Sequence, residues 1–277
     1  MYQTLTKPEI IRVVKRNGEV EEYDEGKVIR ALKRVGADDN TIGEVLKEVE
    51  PYIYDLITTR ELYALVFKSL ERVKPVSASL YGLKEGLAKL GPSGYPFERF
   101  VGKIFEELGY RITIGNIVDG KCVSHEVDVI AEREGERLMA ECKHHENFET
   151  KVDVKISMYV VSRFNDIKGV YRDIKPFLIT NTKFTQDAIR FSKCYGLNLL
   201  GWNYPKGEGL EYLIHKTQTF PITILKIDEK TANKLFNDGI ITVKDLLGNR
   251  KKGEELGINP DIFKICEEII QKQIPQG

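Results

Sequence analysis

His125-Glu126-Val127-Asp128-Val129-Ile130, followed by Leu138-Met139-Ala140-Glu141-Cys142-Lys143, sets two carboxylates and an amine inside two apolar, strand-like runs. Side chains alternate along a strand, so Glu141 and Lys143 share one side while Leu138, Ala140 and Cys142 take the other. By the same alternation Asp128 stands between Val127 and Val129. A charge inside a central strand is costly unless it is paired or metal-bound. Two acids and an amine on neighbouring strands can hold a Mg²⁺ and orient a water beside it. Phosphodiester hydrolysis needs that arrangement. The plainer alternative is a solvated strand face on which Glu126, Glu141 and Lys143 make a cross-strand ion pair.

The flanking sequence weighs toward the first reading. A helix with an apolar stripe precedes the strands, from Pro96-Phe97-Glu98-Arg99-Phe100-Val101 to Leu108-Gly109-Tyr110. A second follows, from Asp153-Val154-Lys155-Ile156 to Phe164. The order α-β-β-β-α-β gives the charged strands helices that can bury their sheet. Residues 94–215 resemble the Mrr-like branch of the PD-(D/E)xK nuclease superfamily. The resemblance is carried by Tyr95-Pro96-Phe97-Glu98, Val127-Asp128-Val129 and Glu141-Cys142-Lys143. It extends through Leu178-Ile179-Thr180-Asn181, with Phe184-Thr185 opening a helix that ends at Gly196. It implies Asp128 and Glu141 as ligands of Mg²⁺ or Mn²⁺, with Cys142 between the motif's two charged residues assigned to the same metal. It implies Lys143 as the group that positions water and offsets charge on the phosphate, and Glu98 as the outlying acid of the site. His125, His144 and His145 crowd the same region and are given a supporting role. No Cys or His spacing matches a tetrahedral zinc site.

Toward the amino terminus, Ile11-Arg12-Val13-Val14-Lys15-Arg16 and Glu19-Val20-Glu21-Glu22-Tyr23 flank Asn17-Gly18, a strong hairpin signal. Asp24 is positioned to cap a helix carrying Lys27, Val28, Ala31 and Leu32. Helical patterns then run from Thr41 to Ile53, from Thr58 to Val73 and from Val76 to Leu90, where Gly91-Pro92 is a stop signal. Val13-Val14-Lys15-Arg16-Asn17-Gly18, Lys27 and the stretch from Thr58 to Leu70 resemble the ATP-cone, a nucleotide-binding module. That resemblance implies ATP or dATP as effector, with Lys15, Arg16 and Lys27 on the phosphates and Val13 beside the base. A basic hairpin edge protected from pairing is the alternative.

Beyond Trp202-Asn203-Tyr204-Pro205 the character changes at Phe220-Pro221. The segment from Ile222 to Leu247 is similar to a helix-hairpin-helix unit, but Asp228 and Glu229 stand where a phosphate would approach. It is therefore read as a packing or oligomerisation element. Lys151, Lys155, Arg163, Lys168, Arg172, Lys175 and Lys183 form a local basic excess suited to nucleic-acid phosphates.

These readings predict a multidomain α+β / α/β chain in three parts. Residues 1–92 would be a mostly helical ATP-cone with a β-hairpin, and 93–217 an α/β nuclease core with a central mixed sheet flanked by helices. Residues 218–277 would be a small all-α domain. A chain of 277 residues suits two or three domains. Its hydrophobic fraction of 42% is ample for cores, and its net charge of zero confines any nucleic-acid surface to a local patch. The dispersed Cys122, Cys142, Cys194 and Cys266 suggest a reduced compartment. With no membrane-length apolar run or leader, a cytoplasmic protein is expected, with DNA and ATP or dATP as partners and a homo-oligomeric state. The expected activity is a Mg²⁺-dependent endodeoxyribonuclease regulated by nucleotide. The alternative is a non-catalytic, nucleotide-responsive DNA-binding or assembly protein.

Overall fold

The computed structural model of the chain describes residues 10–91 and 94–272. The chain divides into two compact units. One takes in the residues up to Gly82 together with the end of the last helix from Glu267, and the other is Leu83–Cys266. Pro92, in the stop signal after the expected Val76–Leu90 helix, lies outside the described residues.

In the amino-terminal unit a three-stranded sheet is ordered β2-β1-β3. Strand β1 (Arg12–Val14) pairs antiparallel with β2 (Val20–Glu22) and parallel with β3 (Ile57–Thr58). Helices α1 (Glu25–Arg34), α2 (Asp39–Val49), α3 (Thr59–Val73) and α4 (Pro75–Tyr81) complete it. Leu32, Val45, Ile57 and Leu70 are among its fully buried side chains. The hairpin turn is wider than Asn-Gly alone predicts. Gly18 N donates to Lys15 O, Lys15 N to Glu19 O, and the Asn17 side chain takes Glu19 N at 3.1 Å. Asp24 stands at the N-cap of α1 without capping it; its carboxylate pairs with Arg30 at 3.1 Å instead. Thr58 and Glu61 form a reciprocal capping box on α3. The helix expected from Val76 to Leu90 is two helices, α4 and α5 (Leu83–Ala88), because Gly82 interrupts a short run of modest helix formers.

The second unit is built on a five-stranded sheet in the order β10-β8-β6-β5-β4. Strands β4 (Arg111–Asp119), β5 (Ser124–Arg133) and β6 (Glu136–Lys143) run antiparallel. Strands β8 (Ile174–Thr180) and β10 (Asn198–Leu200) extend the sheet in parallel from β6. A short parallel pair, β7 (Lys151–Val152) and β9 (Lys183–Phe184), lies apart from it. Helix α6 (Tyr95–Glu107) packs on β4 and β5, burying Phe97, Phe100, Val101 and Ile104. Gly102 allows that approach, since a Cβ there would meet Ile114 Cδ1 at 2.9 Å and Ile112 Cγ2 at 3.1 Å. Helices α7 (Val154–Lys168) and α8 (Gln186–Tyr195) cover Met139, Ile174, Leu178 and Leu199 with Val160, Phe164 and Ile167. Asp153 caps α7 by accepting from Lys155 N and Ile156 N. This is a mixed sheet between helices, as the sequence pattern predicts.

After α9 (Leu210–Thr217) come α10 (Glu229–Asn237), α11 (Val243–Gly248), α12 (Arg250–Glu255) and α13 (Pro260–Gln271). Asp228, noted as an obstacle to phosphate, is the N-cap of α10 and accepts from Thr231 N at 3.0 Å. No helix among the described residues is long and apolar enough to cross a membrane.

Candidate active site

The β5–β6 ladder sets the first two groups. Val129 pairs with Ala140, and continuing that register one step places Asp128 opposite Glu141. There the side chain intervenes in the ladder: Asp128 Oδ2 accepts the Cys142 N–H at 2.7 Å. Lys143, two residues beyond Glu141 and so on the same side of the strand, donates to Glu141 Oε1 at 2.6 Å. Glu98, in the first turn of α6, is close enough to feel Asp128, Glu126 and Glu141 electrostatically. Asp128, Glu141, Lys143 and Glu98 are thus brought together from two strands and a helix.

Electrostatics mark the cluster as strained in charge. Burial, then the adjacent Glu141, pushes the Asp128 carboxyl up to about 6. Burial, then the charges of Asp128, Glu126 and Glu141, pushes Glu98 up to about 7. Burial pulls the Lys143 ammonium down, but the hydrogen bond and charge of Glu141, with Asp128 behind it, outweigh this and leave it raised. Glu141 itself is almost fully enclosed, at 6% side-chain exposure. Its second oxygen is taken by Arg163 from α7, whose other terminal nitrogen donates to the Glu126 main-chain oxygen.

Arg163 was visible in the sequence only as one of seven basic residues in a local excess. The structure gives these residues different surroundings. Arg163 turns inward to Glu141, Lys151 and Lys183 sit opposite each other in the β7–β9 pair, and Lys175 pairs with Glu136. Lys175 lies beside Leu138 in the β6–β8 ladder, and Arg172 just precedes that level, so both stand toward the end of the sheet away from Glu141. Those two therefore stand off the site, while Arg163 lies in it. Nothing in the linear charge pattern distinguishes Arg163. Its position one helical turn after Tyr159 on a helix packed against β6 and β8 is the signal that does.

Cys142 is placed differently from its charged neighbours. Its side chain is buried, and burial followed by the nearby carboxylates raises the thiol well above its ordinary value. By strand alternation that side chain lies on the opposite face of β6 from Glu141 and Lys143, and it is the Cys142 main-chain N–H that meets Asp128. The histidines are structural. His125 pairs with Asp166 at 2.8 Å, and His144 Nε2 lies 2.9 Å from Leu87 O. His145 is clamped through its main chain by the fully buried Asn181, which also fixes the chain just after Lys143. Thr180 Oγ1 completes that clamp by donating to Lys143 O at 2.7 Å. Both residues were legible only as part of an apolar strand ending.

Among the described residues, no three His, Cys, Asp or Glu side chains stand ready as a metal cage. The donor set still suits a hard cation. Asp128 and Glu98 are both short of positive charge, whereas Glu141 already holds two cations.

In the amino-terminal unit, Lys15 and Lys27 converge on Glu21, at 2.9 and 2.8 Å. Val13 is buried in the centre of the sheet, paired with Glu21 on one side and Ile57 on the other. Arg16 lies in the turn between the two strands. Lys15 and Lys27 therefore meet at the hairpin over one shared carboxylate.

Comparison with known proteins accounts for this layout. The ATP cone domain family matches residues 11–81 and the Mrr-type restriction endonuclease family matches 91–201, with an AF1548-like carboxy-terminal domain at 220–271. An uncharacterised protein of Archaeoglobus fulgidus is 38% identical over 158 residues, spanning 57% of this chain and 90% of that protein. The chain belongs to the AF1548-like family. The crystal structure of AF1548, a protein of unknown function, aligns over 64% of this chain and 96% of its own at 35% identity and a TM-score of 0.55. The MspJI restriction endonuclease in complex with a 27-mer oligonucleotide aligns at 14% identity over 67% of this chain and 45% of its own. Its TM-score of 0.29 is too low to bear on the site. This AF1548-like chain thus carries an ATP-cone followed by an Mrr-type endonuclease domain, in the order its motifs implied.

Proposed function

We propose that the chain is a Mg²⁺- or Mn²⁺-dependent endodeoxyribonuclease whose activity responds to ATP or dATP at the amino-terminal unit. The observation that carries this reading is the meeting of Asp128, Glu141, Lys143 and Glu98 in the endonuclease-type sheet. Asp128 and Glu141 would hold the ion. When bound, such an ion polarises the phosphodiester and makes water a better nucleophile near neutral pH. Lys143, oriented by Glu141, offsets charge as it develops on the phosphate and fixes the direction of attack. Glu98, with its carboxyl near 7, is suited to accept a proton at the pH where the enzyme would work.

At the hairpin, Lys15, Arg16 and Lys27 would receive the triphosphate, which replaces Glu21 as counter-ion of Lys15 and Lys27. The boundaries 1–92, 93–217 and 218–277, a cytoplasmic location and a homo-oligomer whose assembly follows nucleotide belong to the same proposal. It is tested by incubating plasmid and branched DNA with Mg²⁺ or Mn²⁺, with and without ATP, comparing wild type with Asp128→Ala and Lys143→Ala. Cleavage by wild type alone is the expected result. Identical behaviour of all three on every substrate ends the catalytic reading.

The occupation of both Glu141 oxygens by Lys143 and Arg163 favours one other reading, a nucleotide-responsive DNA-binding protein without turnover. DNA retention that survives EDTA, with no cleavage product, selects it.

A further inference from the structure

Arg163 is a cation of the site to which the family resemblance gives no role and which the charge pattern counts only among seven residues suited to phosphates. It rises from the middle of α7 and is nearly enclosed, with 13% of its side chain exposed. One terminal nitrogen donates to Glu141 Oε2 and the other to the main-chain oxygen of Glu126. Lys143 holds the other oxygen of Glu141 at 2.6 Å. Both oxygens of Glu141 are thus already bonded to a side-chain cation of the chain itself. Across the ladder, Asp128 spends one oxygen on a main-chain N–H and none on a side-chain cation.

A divalent ion shared between Asp128 and Glu141 needs an oxygen of Glu141, and there it meets the charge repulsion of the guanidinium already bonded to that carboxylate. Arg163 also rests on a second neighbour. Its guanidinium carbon lies 5.5 Å from the ring centroid of Tyr159, one helical turn earlier on α7, a residue that is 55% exposed. That cation–π contact is made while Arg163 still holds Glu141, so the ring can keep the planar cation in place if the Glu141 bond is given up. A guanidinium released there presents a fork of donors to a phosphate at the mouth of the site.

We propose that Arg163 is a resident counter-ion that a divalent cation must displace from Glu141, and that nucleic-acid phosphate favours the displacement by pairing with the freed guanidinium. The inference rests on the reading of Asp128 and Glu141 as a metal site. Metal and nucleic acid then bind with mutual reinforcement, because each stabilises the outward position of the same side chain. The ion is weakly held until substrate arrives, and Glu141 remains neutralised in the meantime.

The test is a Mn²⁺ titration of the full chain, read as free Mn²⁺ by electron paramagnetic resonance, without and with a phosphorothioate oligonucleotide that resists cleavage. Wild type is expected to bind Mn²⁺ weakly alone and more tightly with the oligonucleotide. Arg163→Ala is expected to bind Mn²⁺ about tenfold tighter than wild type in the absence of nucleic acid, and to lose most of the oligonucleotide's effect. Arg163→Lys, which can reach Glu141 but lacks a second arm for Glu126, should fall between them and carries the test if the alanine variant does not fold. Equal or weaker Mn²⁺ binding by both variants overturns the proposal. Where cleavage by wild type still requires Asp128, that result leaves the nuclease reading standing. If neither wild type nor Arg163→Ala binds Mn²⁺ under any condition, the proposal and the metal site fall together.

Discussion

Two clusters of opposite charge, one in each unit, differ mainly in how much water reaches them. At the hairpin, Lys15 and Lys27 share Glu21 at ordinary ion-pair distances. The hydrogen bond from Lys27, then that from Lys15, lowers the Glu21 carboxyl, which stays charged at any physiological pH. At the endonuclease sheet the same residue types behave in the opposite sense. Asp128 and Glu98 are pushed up, to about 6 and about 7, because burial removes water before any cation replaces it. Pairing dominates the exposed cluster and desolvation the enclosed one. Solvated ion pairs exchange partners at little cost, which suits a reversible effector. Buried carboxylates that lack a counter-charge are costly to keep, which suits a site organised around a cation.

The sharpest way to break that contrast is to neutralise one group in the enclosed cluster. Asp128→Asn preserves size and the ability to accept the Cys142 N–H, yet removes the charge an ion would need. Cleavage should fall to the background of the assay. Lys143→Ala should cost about 10²–10³-fold in single-turnover rate, the scale of losing one preorganised charge at a reacting centre. Retention of full rate by either variant would show that the charge strain at β5 and β6 has nothing to do with chemistry.

Protons compete with metal ions for raised carboxylates, so the enclosed cluster should also be pH-sensitive where the exposed one is not. Mn²⁺ affinity should climb as pH passes through about 6, where Asp128 sheds its proton, and again near 7, where Glu98 does. Glu98→Gln should remove the upper step and lower the midpoint of the rise by about one pH unit, the gap between those two groups. Titrations at fixed ionic strength between pH 5 and pH 8 read this directly, and an unchanged midpoint would remove Glu98 from the cluster.

Stability should follow the same logic with its own sign. An acid whose carboxyl is raised in the folded state binds its proton more tightly there than when unfolded. Stability is therefore full below the ordinary aspartate range and is lost as pH rises toward about 6. Asp128→Asn escapes that loss. It should raise the melting temperature above pH 7, on the scale of about 2–4 °C for each kcal/mol recovered, and the gain should fade near pH 4. A gain of equal size at both pH values would mean that packing rather than charge is responsible.

Much of this was legible from residue patterns, and the exceptions have a common cause. Alternation in Val127-Asp128-Val129 and Glu141-Cys142-Lys143 was enough to place the acids and the amine on facing strands, because strand periodicity is fixed by the backbone. The apolar stripe with Phe97 and Phe100 likewise predicted a helix over the sheet, and Glu98 came with it. What could not be read was contact across long separations. Arg163 meets Glu141 from 22 residues away, and only the packing of α7 decides that it, rather than Lys155 or Lys168, turns inward. Asn181 clamps His145 from 36 residues away, for the same reason. The break at Gly82 was missed because the residues on both sides carry a helical pattern, and tertiary packing decides whether such a run continues.

The smallest effect should come from the exposed cluster, and its smallness is the point. Glu21→Gln removes the counter-ion that Lys15 and Lys27 share without changing the shape of β2. Because the pairs are solvated, their loss should leave the melting temperature unchanged. If a triphosphate takes the place of Glu21, Lys27 becomes available without first giving up that carboxylate, and Lys15 keeps only Glu19, at 3.4 Å. ATP affinity should then rise by at most about fivefold, the range open to exposed ion pairs. The gain should shrink as salt is raised, since screening weakens both the resident pair and the incoming phosphates. Fluorescent-nucleotide titration at two salt concentrations measures both features. A loss of affinity would mean that Glu21 does not compete with the nucleotide but orients the lysines for it, and the hairpin would then resemble the enclosed site in depending on a fixed internal pair.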